Sequence, residues 1–510
     1  MKPIRLMVLS AALLAVASGP VAPAADDAKV VRLAWFPRFS PDGASVLSAH
    51  GSWDKKEGGE ARLDPATTVV FTGVTVIDVE TGKAVPDRTV VVTGSKITAV
   101  VAAEGFKPPE GATVVPAAGK YLIPGLWDMH VHHLAPWTGP LDLALANGVT
   151  GVRDLNSEPF LLAWRDEIAA GKRVGPRIVA SGKYLDAKLN GQPPDRVSAD
   201  TPDQARELVR KRKKAGVDLI KVYSGLSPEV YKAVLEEAKA QGLPVAGHCP
   251  ERVSALDASV LGQRSIEHLT GVALSSSRGE AALRKEMSAA FVGEHGYDIT
   301  ALYPVVEKAM ATPDEDKQSA LFAAFKKNRT CQVPTLVVQR PLPAKMAPDT
   351  RLKYMHFGYA QLWEQIQAND KYGKFRESSS AYARTTVRAM HKAGVPLLAG
   401  TDAGGATCVH IFPGFSLADE LELLVGCGLT PADALRTATL NPALYLGEEK
   451  TAGTVAVDKR ADLVLLDADP LAAIGNVRKI AGVMANGRWL PRPELDKMLA
   501  GVAESAAKKK

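Results

Sequence analysis

A (β/α)8 TIM barrel joined to a small β-sandwich is the architecture this sequence predicts. Three observations point to it. Residues 125–445 alternate short apolar runs with capped helical segments, the pattern of βαβ units and a parallel sheet. Eight such runs can be counted, the number that closes a barrel. The two flanks, 66–124 and 446–495, read instead as hairpins, so both chain ends supply a separate sandwich. An open doubly wound sheet is the alternative topology for the middle.

The elements follow in order. Lys2 and Arg5, the apolar run Leu6–Ala17 and Ala22-Pro23-Ala24 have the form of a secretory signal over 1–24, so an exported protein, periplasmic or secreted, is expected. A buried N-terminal helix or an anchor is the other reading of that run, which is short for a membrane span. Residues 25–65 form an N-terminal extension in which "PRFSPDGASVLSAH" resembles a single propeller repeat. One such repeat cannot bury its own apolar face. From Thr67, β-branched residues alternate between turns at Glu80-Thr81-Gly82-Lys83 and Thr93-Gly94-Ser95. Asn486-Gly487 marks a hairpin near the far end.

Within the middle, Thr201-Pro202-Asp203-Gln204 carries a capping box with proline at the first helical position. Ser227-Pro228-Glu229 caps the next helix. The strand candidates are "LWDMHVH", "VTGVRDL", "RIVASG", "DLIKVY", "PVAGHC", "SIEHL", "CQVPTLVV" (ending near Val338) and "PLLAGTDA". The long gaps at 270–330 and 339–395 are rich in helix formers and are expected to cover the barrel mouth.

The composition excludes several classes. Of 510 residues, 46% are hydrophobic and 23% charged, which rules out general disorder. The net charge of +6 includes the two cations of the leader and the tail Lys508–Lys510, so no nucleic-acid footprint is expected on the body. Cys249, Cys331, Cys408 and Cys427 form no C-x-x-C pair, and apolar burial as free thiols is expected.

Chemistry concentrates at strand ends, where parallel barrels build their sites. His130 and His132 end the first strand at i, i+2, on one face. Lys221 lies in the fourth, His248 ends the fifth, His268 the sixth, and Asp402 the eighth. Each alone has an ordinary structural explanation. Five strand ends carrying ligand-type residues together predict a metal site. Imidazole and carboxylate suit zinc and similar divalent ions, and two such ions can share a bridging hydroxide. Lys221 fits such a site either as a CO2-derived carbamate, for which burial favours the neutral amine, or as an opposing cation. His356 and His410 could enter from loops. His133 is expected to face away from the His130 and His132 pair.

These residues resemble the amidohydrolase superfamily, in the group similar to imidazolonepropionase and to zinc-dependent Xaa-Pro dipeptidases. The stretches "YLIPGLWDMHVH", "NGVTGVRDL", "DLIKVY", "VAGHC", "SIEHL", "LLAGTDAG" and "GLTPADALRTATLNPALYLG" carry the resemblance over about residues 66–490. It implies two divalent ions, Zn2+ foremost. His130, His132 and Asp402 would hold one, His248 and His268 the other, with carbamylated Lys221 between them. Asp402 would act as general base and acid. Tyr223 would touch substrate, or else is a packing aromatic at the rim. Arg153 is a candidate for a substrate carboxylate, or a salt-bridge partner of Asp154. In many relatives a histidine precedes the "ELELL" helix. Here the stretch is "FSLADELELL", with Ser416 and Asp419, which leaves the leaving-group side less defined.

The expected activity is hydrolysis of an amide bond in a small-molecule substrate, such as a dipeptide, an N-acyl amino acid or a cyclic amide. Alternatives are a lactone, carbamate, phosphoester or xenobiotic amide on the same site, or a binding protein on a relict barrel. A homo-oligomer is compatible with the sequence.

Overall fold

A computed structural model of the chain describes residues 67–132, 139–188, 196–290, 299–342, 349–368, 373–405 and 408–508. The expected leader, the extension over 25–65 and His133 lie outside the described residues.

The first strands are β1 (Thr68–Asp78), β2 (Lys83–Thr93), β3 (Lys96–Ala102), β4 (Thr113–Pro116) and β5 (Tyr121–Pro124). They join three late strands, within residues 463–491, in one eight-stranded sheet. The expected sandwich is thus seen as a single connected sheet to which both ends contribute. Its alternation explains its two faces. Leu122, Leu463, Leu465 and Met484 point into a core with Phe71, Val90 and Ile97. Their neighbours Ile123, Val464, Leu466 and Val483 point the other way, into the main core of the molecule.

The middle supplies β6 (Leu126–Val131), β7 (Val149–Asp154), β8 (Arg177–Ala180), β9 (Tyr184–Asp186), β10 (Arg196–Ser198), β11 (Ile220–Val222), β12 (Val245–Gly247), β13 (Ser265–Glu267) and β14 (Cys331–Val333). The final three are β15 (Leu463–Leu466), β16 (Ile480–Ala485) and β17 (Arg488–Pro491). All pairings from β6 to β14 are parallel. They form two arcs, β6-β7-β8 and β10-β9-β11-β12-β13-β14.

Among the described residues a few hydrogen bonds, and no ladder, connect the arcs. Asp218 N donates to Ala180 O at 2.9 Å on one side. On the other, residues 397–403 bridge the gap: Gln332 pairs with Leu397, and Val131 with Ala403. The eighth expected strand is therefore present as bridges and not as a ladder strand. Asp402, with φ 63, and Gly404, with φ 91, turn its backbone out of extended geometry.

Two details depart from expectation. The seventh strand stops at Val333, and residues Leu336–Gln339 are a short helix, because Thr335 takes φ 46 and ends the extended run. Strands β9 and β10 were not foreseen. The helices Pro202–Ala215 and Pro228–Ala240 begin as their caps predict: Thr201 and Gln204 form the full capping box, and Ser227 accepts from Val230 N. The long gaps hold the helices Glu280–Ala290, Ile299–Ala311, Glu315–Asn328, Phe357–Ala368 and Gly373–Ala393. All four cysteines are buried free thiols, as expected. No described helix is long and apolar enough to cross a membrane.

Candidate metal centre

Strand ends bring the expected residues together. His130 and His132 leave β6 on one face, and Asp402 reaches them from the adjoining segment, because its N–H donates to His130 O at 2.7 Å. Asp402 Oδ1 lies 3.2 Å from His130 Nε2 and 2.8 Å from His132 Nε2, and the two Nε2 atoms are 3.0 Å apart. Among the described residues, these three side chains are the one group placed to share a metal ion. His130 is fully buried, while His132 and Asp402 are each 13% exposed, so the group opens outward from a sealed floor.

Hydrogen bonds orient the rings. Glu267 Oε2 sits 2.8 Å from His130 Nδ1. A carboxylate can only accept there, so in the neutral ring Nδ1 carries the proton and Nε2 presents a lone pair. Thr335 Oγ1 spends its own proton on Pro334 O at 2.8 Å, so His268 Nδ1 donates to it at 2.6 Å and its Nε2 is also left bare. His248 Nδ1 lies 2.8 Å from Ser224 Oγ, which itself bonds the Glu251 carboxyl. The ring of His130 is 4.7 Å from that of His268, which is 5.0 Å from that of His248. Several bare acceptors facing one small space repel one another unless a cation lies between them.

Lys221 completes the floor. It is fully buried, and its Nζ makes no hydrogen bond among the described residues. Burial pulls its pKa down to about 8, against the opposing pull of Glu267 and Asp402. Gly247 makes room for it: at φ 132, a Cβ there would stand 2.1 Å from Val222 O and 2.9 Å from Lys221 Cδ. The other electrostatics favour metal-ready forms. Burial lowers His132, lowers His248 well below its ordinary value, and brings His268 to about 3. Burial would raise Asp402, but His130 and His132 outweigh it and keep the carboxylate ionised.

Strain gathers here too. His268 (φ 58), Leu269 (φ 57), Thr335 and Asp402 are all left-handed. Such conformations cost on the order of 1–3 kcal/mol each and persist where surroundings fix them.

One expectation needs revision. Arg153 is fully buried beneath the site. It donates to Met129 O, Ser265 Oγ, Tyr445 OH and Glu267 Oε1 at 2.6–2.9 Å. A guanidinium so enclosed has no face for a substrate carboxylate, and its ion-pair partner is Glu267, not Asp154. Tyr223 is 8% exposed, with its ring stacked between His248 at 4.0 Å and Tyr184 at 4.7 Å. It therefore packs a ring that belongs to the centre, whatever its edge also meets. His410 lies apart, with its ring 5.4 Å from that of Trp363, and His356 accepts from Gly358 N. Ser416 accepts from Phe412 N, and Asp419 pairs with Arg351 and Arg478.

Sequence reasoning passed over Glu267, Ser224, Thr335 and Asp128. Asp128 accepts from His130 N and from both the N–H and hydroxyl of Thr401, tying β6 to the last bridging segment. A charged residue inside each of the apolar runs "LWDMHVH" and "SIEHL" was the available signal.

Residues 121–490 match the amidohydrolase family. The chain belongs to that family. Ochratoxinase of Aspergillus niger is 24% identical over 415 residues, covering 69% of this chain and 71% of that protein. Among solved structures, bottromycin amidohydrolase is similar with a TM-score of 0.68 and 25% identity, over 88% of this chain and 92% of that one. A Xaa-Pro dipeptidase with methionine bound in its active site shares the fold at a TM-score of 0.61 and 20% identity, over 83% of this chain and all of that one.

Proposed function

We propose that this amidohydrolase-family chain is a binuclear metal-dependent hydrolase of carbon–nitrogen bonds in small molecules: a dipeptide, an N-acyl amino acid or a cyclic amide. The observation that carries the reading is the buried Lys221 amine, without a hydrogen-bond partner among the described residues, set among histidines whose Nε2 lone pairs converge with Asp402. Such a donor set fits two divalent ions, Zn2+ first, with His130, His132 and Asp402 on one, His248 and His268 on the other, and Lys221, as its CO2-derived carbamate, serving both. When bound, such ions polarise the scissile carbonyl and make water a nucleophile at neutral pH.

The chain's own groups supply the rest. Asp402 faces His130 and His132 through Oδ1, and its Oδ2, which accepts from Cys408 Sγ at 3.2 Å and lies 4.0 Å from His268 Nε2, is proposed to take a proton from the attacking water and return it to the leaving amine. Glu267, Ser224 and Thr335 fix the histidine rings. Tyr223 supports His248 and is proposed to present its edge to substrate. The family and the names of the relatives support C–N hydrolysis, and the two arcs with their bridged seams are read as a (β/α)8 barrel. The leader over 1–24 makes export part of this proposal.

A panel of dipeptides and N-acyl amino acids, with zinc-loaded and metal-stripped protein, tests it. Hydrolysis is expected only with metal and is expected to collapse in Asp402→Asn. Undiminished turnover in that variant would sink the proton-transfer assignment.

A further inference from the structure

Resting on the two-ion reading, we propose that Glu420 is a positioning residue for the His248 and His268 half of the centre, acting through Thr335 on the ring of His268. Glu420 lies in the helix Ser416–Gly426 and is fully buried. Its two oxygens accept from the N–H groups of Leu336 and Val337, each at 2.9 Å. Those are the residues directly after Thr335. Thr335 is β-branched and left-handed, a conformation that does not persist without support. Glu420 provides that support from one side. Gln339 provides it from the other, donating Nε2 to Pro334 O at 2.9 Å.

The result reaches the ring directly. Thr335 Oγ1 receives the Nδ1 proton of His268 at 2.6 Å, and His268 N donates to Val333 O at 2.9 Å. His268 is itself left-handed, so its backbone has no regular ladder beyond β13 to hold the ring. Two strained segments face each other, and the hydroxyl between them sets which nitrogen of His268 is free. If the Leu336 and Val337 N–H groups lose their acceptor, Thr335 can relax toward ordinary φ and its hydroxyl leaves the ring. Among the described residues no chain of hydrogen bonds runs from Glu420 to His130 or His132, whose own hydrogen bonds go to Glu267 and to Asp128, itself tied to Thr401; Asp128 feels Glu420 only as a nearby charge.

The test compares wild type with Glu420→Ala, Glu420→Gln, Thr335→Val and Thr335→Ser, with His268→Ala as reference. Metal equivalents retained under a fixed chelator concentration, the absorption spectrum of the cobalt(II)-loaded protein, and Tm are measured. Glu420→Ala and Thr335→Val are expected to lose one of two ions at least tenfold more readily than wild type, with a cobalt spectrum like that of His268→Ala. Thr335→Ser is expected to keep both ions, and Glu420→Gln to fall between. Retention of both ions at wild-type affinity in Thr335→Val and Glu420→Ala overturns the proposal, as does equal loss of both. Should Glu420→Ala fail to fold, Thr335→Val and Glu420→Gln decide. A wild-type chain that binds one ion overturns the two-ion reading itself and this inference with it.

Discussion

Glu267 reaches His130 across the floor of the centre: its Oε2 lies 2.8 Å from Nδ1, and its other oxygen lies 2.9 Å from Arg153 Nη2. One carboxylate thereby fixes the His130 ring and neutralises a buried guanidinium. Burial alone would raise its pKa, yet Arg153 and His130 hold it well below the ordinary carboxylate range.

The two roles of Glu267 can be separated. Glu267→Leu strands Arg153, and loss of one member of a buried pair costs about 3–5 kcal/mol. The double variant Arg153→Met with Glu267→Leu is expected to recover most of that stability in denaturant titrations. Both variants leave His130 Nδ1 unsupported, so metal affinity is expected to fall about 10–100-fold in each. A double variant that regains both stability and affinity would contradict the orienting role. Arg153→Met alone is expected to lower Tm without a selective rise in KM, since Arg153 meets no substrate.

Lys221 makes the apo protein pH-sensitive. Its pKa is about 8 when folded and 10.5 ordinarily, so between these values the unfolded chain binds more protons and stability rises with pH. Below pH 8 the penalty is fully present, on the order of 3 kcal/mol. Lys221→Met is therefore expected to stabilise the metal-free chain at pH 7, with the advantage shrinking toward pH 10. Matched unfolding curves at the two pH values check this. The same pKa predicts that reconstitution with zinc, at fixed dissolved CO2, speeds up from pH 6 through 8 and levels off above about pH 9 as the neutral amine saturates.

Asp402→Asn keeps the size of the side chain but removes its proton-accepting capacity. A drop in kcat of about 10²–10⁴ is expected. Both kcat and kcat/KM should fall together, the sign of a group needed in the transition state and not in binding.

Tyr223 separates ring from hydroxyl. Tyr223→Phe preserves the stack on His248 and is expected to retain both ions while raising KM several-fold. Tyr223→Leu removes the stack and is expected to loosen metal as well. Unchanged KM in Tyr223→Phe would confine Tyr223 to packing.

The convergence of His130, His132 and Asp402 was legible because histidine, lysine and aspartate are costly inside apolar strands, so their presence at five expected strand ends needed a shared cause. The supports were not, because they come from other strands. His130 and Glu267 lie 137 positions apart, and only the two parallel arcs, bridged through residues 397–403, make them neighbours. Arg153 was misjudged for the same reason. Its sequence neighbour Asp154 alternates to the other side, where it accepts from Asn156 N and Ser157 Oγ. The eighth strand and the end of the seventh were over-regularised, since nothing in "CQVPTLVV" or "GTDAGG" announces the left-handed Thr335 and Asp402 that break them.

Metal stoichiometry is the most direct test of the central claim. Elemental analysis of the purified full chain, reconstituted with zinc and bicarbonate and assayed alongside for N-acyl amino acid hydrolysis, should give two equivalents per chain and activity that rises with the second. One equivalent or none at full activity, or activity that survives complete metal removal, would contradict the account.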